Sequence, residues 1–459
     1  MDYPFEQDIG YVVYPEAPDG TPATKAPAPN VHRGLIPVGR YFSSDEMETE
    51  FEHLWPKVWN WVGIEHDLPE VGSYFRIEVG RESFVVVRSA ADRVQAFQNV
   101  CPHRANYVVN NDYGKIEDGG ALYCRFHGWR FNLDGSVRTI KDQHTFPEEN
   151  LCGMKGLREV RCEIWNSMVF VNLDPDAIPL VEALDVVPEH LANRDFSRFR
   201  VYDEIAGEID ANWKTAMEAF IEFYHSDDTH PQVIPISATL KTQYDLYGHG
   251  ISRMIIPTGY SGDRTKQPEL VNDALKGFIA FFGGDNSKYE GISGAEYRTA
   301  FADTLRQWAR RNGHDDLFSR LSDGEVTDDW NYHLFPHVTI NVFSHSLLIQ
   351  SWTPHPMDPD KCLYRALSLL LPVTDPKQAV MDPASFAVSA QTGWRGETRP
   401  PRRVPQSLEE WGTVLSQDVE RLPNVQRGLR SRGYAGNRLS ASECRIPHYL
   451  AEVDRYLGR

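Results

Sequence analysis

The chain has 459 residues, 41% of them hydrophobic and 12% aromatic, enough for large buried cores and roughly two folded units. Its formal net charge of -18 argues against a nucleic-acid partner, because neutralising phosphates takes concentrated Lys and Arg; small molecules and proteins are the expected partners. The longest apolar run, residues 367–373, is too short to span a bilayer, and residues 1–10 lack a basic stretch followed by an apolar one, so neither a membrane span nor a secretory signal is expected and a cytoplasmic setting is implied.

Residues 15–30 are rich in Pro, Ala and small polar residues and predict an extended arm over residues 1–42. Short β-like segments follow at 73–79 and 83–88, with β-branched residues between polar turns. The pattern continues through 129–135, where Asp134-Gly135 signals a turn, to 168–173, where Asp174-Pro175 marks a boundary. A β-rich first domain of residues 43–178 is expected, and mixed helix and strand patterns over 179–459 predict an α+β second domain. Ser293 can cap a helix running to about Gly313, with Tyr297, Phe301, Leu305 and Trp308 on one apolar stripe, either packed on the core or serving as a lid.

Six cysteines without a signal argue against a disulfide framework. Cys152, Cys162, Cys362 and Cys444 have no ligand-like spacing and read as structural thiols. Cys101-Pro-His103-Arg and Cys124-Arg-Phe-His127-Gly-Trp are different: two short loops, each offering one thiolate and one imidazole. A Rieske [2Fe-2S] centre holds one iron by two Cys and the other by two His, so each loop must present both ligand types. Pro102 restrains the first loop, and Gly128 lets the second turn away. Neutral imidazoles in place of thiolates raise the potential, which suits a cluster that accepts electrons and passes them on. The alternative is zinc, which two Cys and two His also bind, although fingers usually pair like ligands.

A second constellation begins at Asn212. Trp213, Met217, Phe220, Ile221 and Tyr224 predict one amphipathic helix through His225. Glu222 and His225 are three residues apart and should be neighbours, so the carboxylate can orient the imidazole. His230 lies five residues on, beyond a loosening at Ser226-Asp-Asp228 and Pro231, which lets both imidazoles converge on one ion. A third ligand is read from a helix beginning at Ser407, where Ser407 and Glu410 form a capping box and Asp418 falls inside the stripe of Trp411, Val414, Leu415 and Leu422. A buried carboxylate needs a partner, and a metal is one; an ion-paired or surface Asp is the other reading. Pro423 should distort this helix near residue 419. Two His and one carboxylate leave open positions on iron(II) for oxygen and substrate.

Both constellations resemble the Rieske non-haem iron oxygenases, specifically the ring-hydroxylating oxygenase α subunits. The strings around Cys101 and Cys124 are similar to that family's Rieske fingerprint. Asn-Trp-Lys, Glu-x-Tyr-His and a His five residues on are similar to its iron motif, and Gln417-Asp-Val with 425–431 to its C-terminal signature. The resemblance implies a [2Fe-2S] cluster on Cys101, His103, Cys124 and His127, and a mononuclear Fe(II) on His225, His230 and Asp418 in a catalytic domain with an antiparallel sheet. It implies catalytic roles for Asn212 and Glu222, with Glu222 linking His225 to His127 of a neighbouring subunit. Many ring-hydroxylating members have Asp where this chain has Glu222, so the resemblance leaves dioxygenase and monooxygenase chemistry open. It also implies a pocket lined by Phe220, Phe335 and His337, the last being alternatively a structural histidine.

The expected activity is that of a terminal oxygenase α subunit. It would use O2 and NAD(P)H-derived electrons, delivered by a ferredoxin or flavin reductase, to hydroxylate or cis-dihydroxylate a hydrophobic, aromatic substrate in aromatic hydrocarbon catabolism. The alternative is a monooxygenase performing O- or N-demethylation or acting on a non-aromatic substrate; more distant readings are a Rieske electron carrier and a zinc-stapled binding module. By the same resemblance the chain forms a homotrimer or an α3β3 assembly with a small β subunit.

Overall fold

The computed structural model describes residues 34–459 except 118, 238, 262–264, 266–269, 376, 385–391 and 394–398, so most of the expected arm, residues 1–33, lies outside the described residues. The chain divides into two compact units, one of residues 51–183 and one joining the preceding segment to residues 184–459. The boundaries fall at 50/51 and 183/184, where the sequence suggested 42/43 and 178/179. Residues 34–42 are not an extended arm. Ile36 bridges to Asn437, Tyr41 is buried, and its hydroxyl donates to Glu218 at 2.8 Å. Helix α1 (Ser44–His53) then buries Glu50, which accepts from the Trp213 indole at 2.9 Å and pairs with Lys214.

The regular structure of the smaller unit is mainly β. Its strands in chain order are β1 (Asn60–Ile64), β2 (Ser73–Val79), β3 (Glu82–Ala90), β4 (Arg93–Gln98), β5 (Tyr113–Lys115), β6 (Leu122–Tyr123), β7 (Arg130–Phe131), β8 (Val137–Thr139), β9 (Glu159–Trp165) and β10 (Met168–Asn172). Seven form an antiparallel sheet in the order β1-β10-β9-β4-β3-β2-β5, and β6-β7-β8 form a small second one. Val85, Val87 and Phe97 of the large sheet share a core with Leu122 and Phe131 of the small one and with Trp129 just before β7. The expected turn is present: Asp134 accepts from the Ser136 amide at 3.0 Å and Gly135 has φ +79. A Cβ on Gly135 would meet the Phe97 ring at 2.4 Å, so both backbone and packing demand glycine there.

The larger unit is built on an antiparallel sheet of β11 (Arg200–Ile209), β12 (Gln243–Leu246), β13 (Ser252–Ile256), β14 (Asp329–Leu334), β15 (Val338–Val342), β16 (Ser346–Pro354) and β17 (Cys362–Leu370), in the order β11-β17-β16-β15-β14-β13-β12. Strands β12 to β16 are buried along their whole length, which requires cover on both faces. Helix α2 (Trp213–Glu218) packs on β16 and β17. Helices α3 (Ser226–Thr229), α4 (Asp273–Phe281), α5 (Gly294–Arg311), α6 (Thr413–Leu429) and α7 (Arg445–Tyr456) complete the set used below. Helix α5 is the one expected from Ser293, with a reciprocal Ser293/Glu296 capping box and Tyr297, Phe301, Leu305 and Trp308 all buried.

One edge of this sheet is sealed by charge. Glu204 on β11 is fully buried and accepts from Arg365 at 2.7 Å, Arg399 at 2.7 Å and Arg402 at 2.9 Å, while Ala206 and Glu204 exchange backbone bonds with Arg403 at 2.9 Å each. The 399–403 segment thereby occupies an edge that would otherwise expose unpaired peptide groups. Burial opposes ionisation of Glu204, but the three guanidinium groups outweigh it and hold the carboxyl well below the usual range. A depressed folded-state value means the stabilisation is present above the unfolded value and lost only as pH falls through the folded one, so it is complete at neutral pH. Glu204→Ala should therefore cost about 3–5 kcal/mol in urea unfolding at neutral pH, since it removes the buried carboxylate shared by Arg365, Arg399 and Arg402; a cost under about 1 kcal/mol, as at exposed pairs, would overturn this account.

Candidate metal centres

The two cysteine-histidine loops of the smaller unit are one turn made twice. The Cys101 amide donates to the Asn106 carbonyl at 2.9 Å and the Ala105 amide returns to the Cys101 carbonyl at 3.0 Å; the Cys124 amide donates to Trp129 at 3.0 Å and the Gly128 amide returns to Cys124 at 3.0 Å. The residue four places after each cysteine, Ala105 or Gly128, is left-handed, with φ 58 and 81. This shared frame brings the thiols together and sets the His103 and His127 rings 4.4 Å apart. Both thiols are buried, and burial pushes Cys101 up to about 11, with the Cys124 thiol adding to the rise. Trp129 stacks on His103 at 4.8 Å, and burial lowers the pKa of this imidazole. Its Nδ1 is buried without a hydrogen-bond partner. An orphaned imidazole nitrogen is costly in an apolar setting and a bound metal cluster would satisfy it, taking the two neighbouring thiols as thiolate ligands.

In the larger unit, His225, His230 and Asp418 bring one donor atom each within 4.8 Å of one another. The two Nε2 atoms are 3.2 Å apart, and the Asp418 carboxylate lies 3.2 Å from His230 and 3.6 Å from His225. The outer nitrogens are tied: His225 Nδ1 to Glu222 at 2.5 Å and His230 Nδ1 to Gln417 at 2.8 Å, with Gln232 donating to the same Gln417 oxygen at 2.8 Å. Carboxylate and amide oxygens accept, so each ring carries its proton on the outer nitrogen and offers Nε2 to a metal. Burial disfavours the His225 cation, but Glu222 and then Asp418 reverse this and lift it to about 9; a metal displaces that proton. Ligand type and clustering fit a divalent ion with open positions.

The local structure differs from the sequence expectation while reaching the same convergence. The helix at Trp213 stops at Glu218 instead of running to His225, and Tyr224, placed on its apolar face, is 59% exposed. Glu222 is the reason the turn holds: its second carboxylate oxygen accepts from the backbone amides of Tyr224 and His225, satisfying donors that a helix would have used. His230 ends α3, its amide donating to Ser226 at 2.8 Å. The capping box at Ser407 is not formed; Glu410 accepts from the Gln406 amide at 2.9 Å, and α6 starts after Gly412, which has φ 88. It continues through Pro423 with Asp418 on its buried side.

Asn212 does not reach the donors. It caps α2, its side-chain oxygen accepting from the Lys214 amide at 3.0 Å and its amide donating to Pro359 at 2.7 Å, which spends the group that catalysis would need. Phe220 does line the cavity beside the donors, but Phe335 and His337 do not. They sit at the turn between β14 and β15, whereas Asp329 and Asn331, at the other end of β14, face the cavity. Phe335 stacks on Tyr456 instead, and His337 is fully buried, with its pKa lowered to about 3 by burial. The cavity is mostly apolar, with Val233, Met254, Phe301 and Phe343 among its walls, and Glu222, His225, His230 and Asp418 form part of its surface. A groove lined by Glu222, His225, Asp418, Tyr434, Arg438 and Glu443 approaches the same donors. Gln417 and Gln232 were missed as orienting groups; their places one residue before Asp418 and two residues after His230 were the available signal. No helix among the described residues is long and apolar enough to cross a membrane.

Comparison with known proteins bears on both centres. Residues 196–459 match the family model for the ring hydroxylating alpha subunit (catalytic domain), and residues 58–154 match the Rieske [2Fe-2S] domain. The carnitine monooxygenase oxygenase subunit of Escherichia coli (strain K12) is 29% identical over 47% of this chain and 55% of its own length. The 2-aminobenzenesulfonate 2,3-dioxygenase subunit alpha of Alcaligenes sp is 29% identical over 40% and 47%, so the chain spans about half the length of the curated relatives it matches. Among solved structures, a quaternary ammonium Rieske monooxygenase in complex with L-carnitine aligns with TM-score 0.62 at 19% identity, over 92% of this chain and 95% of that one. Naphthalene 1,2-dioxygenase from Rhodococcus sp. aligns with TM-score 0.64 at 17% identity, over 92% and 94%. The chain belongs to the ring-hydroxylating oxygenase α-subunit family, with a Rieske [2Fe-2S] domain ahead of a catalytic domain of the mononuclear iron type.

Proposed function

We propose that this chain is the terminal oxygenase component of a multicomponent Rieske oxygenase and that it carries out monooxygenation, hydroxylating or dealkylating its substrate, in preference to dihydroxylating an aromatic ring. The observation that carries the proposal is the convergence of His225, His230 and Asp418 on the wall of an apolar cavity. In this reading Cys101, His103, Cys124 and His127 hold the cluster and the triad holds the iron. Monooxygenation is supported by the carnitine and glycine betaine monooxygenases among the relatives and by Glu222 in place of the Asp of many ring hydroxylases. Aromatic dihydroxylation remains the second reading, favoured by the 2-aminobenzenesulfonate dioxygenase relative.

When bound, the mononuclear iron supplies oxygen activation, and the cluster supplies electrons one at a time. The balance is one O2, two electrons and two protons for one hydroxylated product and one water. The chain's own residues do the rest. Glu222 and Gln417 hold the imidazoles in their metal-binding tautomer, the phenylalanine walls exclude water, and the substrate lies against the same surface as Nε2 of both histidines. His225 and Asp418 line both cavity and groove, whereas His230 lines the cavity alone; in this reading substrate and electrons approach the metal from separate sides. Glu222 faces both and is the group we assign to electron entry, from the cluster of a neighbouring copy in an oligomer. The electrons come from a separate ferredoxin or flavin reductase.

Three measurements test this reading. Asp418→Ala should lower iron from about three to about two per chain while the Rieske absorption persists; retained turnover would refute the ligand assignment. Glu222→Gln should keep both metals yet give little product in a single turnover from the reduced enzyme, and a normal yield would remove Glu222 from the electron path. With a surrogate reductase and a panel of amines, ethers and arenes, product analysis should find hydroxylation or dealkylation products; cis-diols from the arenes would favour the second reading.

A further inference from the structure

Among the described residues, three carboxylates line the cavity: Glu222, Asp418 and Asp329. The first two are engaged with His225 and His230. Asp329, at the start of β14, is only 4% exposed. Its Oδ2 accepts from Asn341 at 2.8 Å, while its Oδ1 is buried with no hydrogen-bond partner. A buried acceptor left open costs about 1–3 kcal/mol, more when charged. Such a cost inside a binding cavity points to a ligand that removes it.

The rest of the sheet face explains why that oxygen is the open one. Asn331 pairs with Asn341 across β14 and β15, and Gln350 on β16 stands opposite Thr339. The Tyr364 hydroxyl donates to Gln350 at 2.7 Å. Gln350 donates to Thr339 at 3.3 Å and Asn341 at 3.5 Å, and Asn341 donates to Asp329. Every donor in this row points the same way, and Tyr364, Gln350, Asn341 and Asp329 all line the cavity. Burial, then the nearby Asp418 carboxylate, keeps the Tyr364 phenol protonated and able to start the row. The row ends on Asp329, with one oxygen filled by Asn341 and one left without a protein donor.

The charge of the cavity decides what that oxygen receives. Among the described lining residues there is no Lys or Arg. Arg445, the cation that acts on Asp329, is held by Asn331 at 2.8 Å and Ser252 at 2.9 Å, and Arg298 is held by Asp328 at 3.0 Å. Burial lowers His345 to about 4, so this lining imidazole is neutral. Burial lifts Asp329 itself to about 7, and an arriving cation favours its ionised form. Phe282, Phe301 and Phe343 line the same space, and aromatic faces attract cations. Away from the metal-binding wall, an anionic group would meet the Asp329 carboxylate and, among the described lining residues, no Lys or Arg.

We infer that Asp329 is the specificity-determining residue of this cavity and that it selects a substrate carrying a protonated amine on an apolar body, the N–H donating to its open oxygen. The inference rests on the oxygenase reading for the word substrate, but not for the binding event. Equilibrium dialysis of the holoenzyme at neutral pH can use three probes of one shape: N,N-dimethyl-3-phenylpropylamine, trimethyl(3-phenylpropyl)ammonium, and the uncharged isostere 4-methylpentylbenzene. The amine should bind at least about tenfold tighter than the isostere and detectably tighter than the quaternary ion, as expected of a charge-assisted bond. In Asp329→Asn the amine should lose about tenfold or more while the isostere stays within about twofold.

Equal wild-type affinity for amine and isostere, or for amine and quaternary ion, would overturn the inference, as would an unchanged amine affinity in Asp329→Asn or no binding of any probe. The wild-type comparison does not depend on how the variant folds. Single-turnover product formation decides the oxygenase reading separately: an enzyme that oxygenates without preferring the amine loses this inference alone, and one that prefers the amine but never oxygenates loses the other.

Discussion

Two imidazole nitrogens and a carboxylate oxygen held within 4.8 Å of one another are the constraint around which the larger unit is organised. The Asp418 and His230 side chains are buried, so the fold must spend stability to keep them close, and it does so by fixing each from behind. Glu222 and Gln417 hold the rings. Gln426, two turns beyond Asp418 on α6, holds the helix itself: it accepts from the Asn212 amide at 3.0 Å and the Thr215 hydroxyl at 2.9 Å, and donates to Tyr41 at 2.8 Å and Asp360 at 2.7 Å. One side chain thus sets α6 against α2, and with it Asp418 against the turn that carries His225. The Asn212 position matters to the site by this route, through its backbone amide and its cap.

The two centres are assembled by different means. In the cysteine-histidine loops each turn closes on itself within six residues, through the same pair of backbone bonds and the same left-handed position. The geometry is local, and only the approach of the two turns is not. The triad is the reverse. His225 and His230 are close in sequence, but the helix that would have carried them is interrupted, and the third donor comes from a helix almost two hundred residues on. Such a site depends on packing between elements and is open to perturbation from residues that touch no donor.

That contrast explains what the sequence made legible. The Rieske loops could be read from residue type and spacing, because local geometry follows local sequence. Glu222 beside His225 was found from three-residue spacing, although the structure achieves the contact in a turn and not a helix: Glu222 takes up the amides of residues 224 and 225, and no propensity scale contains that competition. Asp418 was legible as a polar residue inside an apolar stripe. Phe335 and His337 were misplaced because a strand pattern gives the face of a residue but not which end of the strand lies over the cavity. Asp329 escaped notice for a related reason, since its significance comes from Asn341, Gln350 and Tyr364 on three other strands. Register alone brings those together.

A polar row on a fully buried sheet is costly unless each member is partnered. Here the partners are supplied in sequence across β17, β16, β15 and β14, each donor feeding the next acceptor, so the cost is passed along and collected at the last oxygen. The row starts at Tyr364, whose phenol feels the Asp418 carboxylate, and ends at Asp329. The sheet therefore joins the metal-binding wall to a lining carboxylate, Asp329, one oxygen of which has no protein donor. A substrate amine at Asp329 would complete the row and orient the apolar body among the same aromatic walls that surround the histidines. Positioning by a single ionic contact at one point, with apolar packing elsewhere, constrains where a substrate sits while leaving its shape free. Among proteins of this fold as different as a carnitine-binding monooxygenase and a naphthalene 1,2-dioxygenase, that is a physical route by which one scaffold changes selectivity without altering its metal ligands.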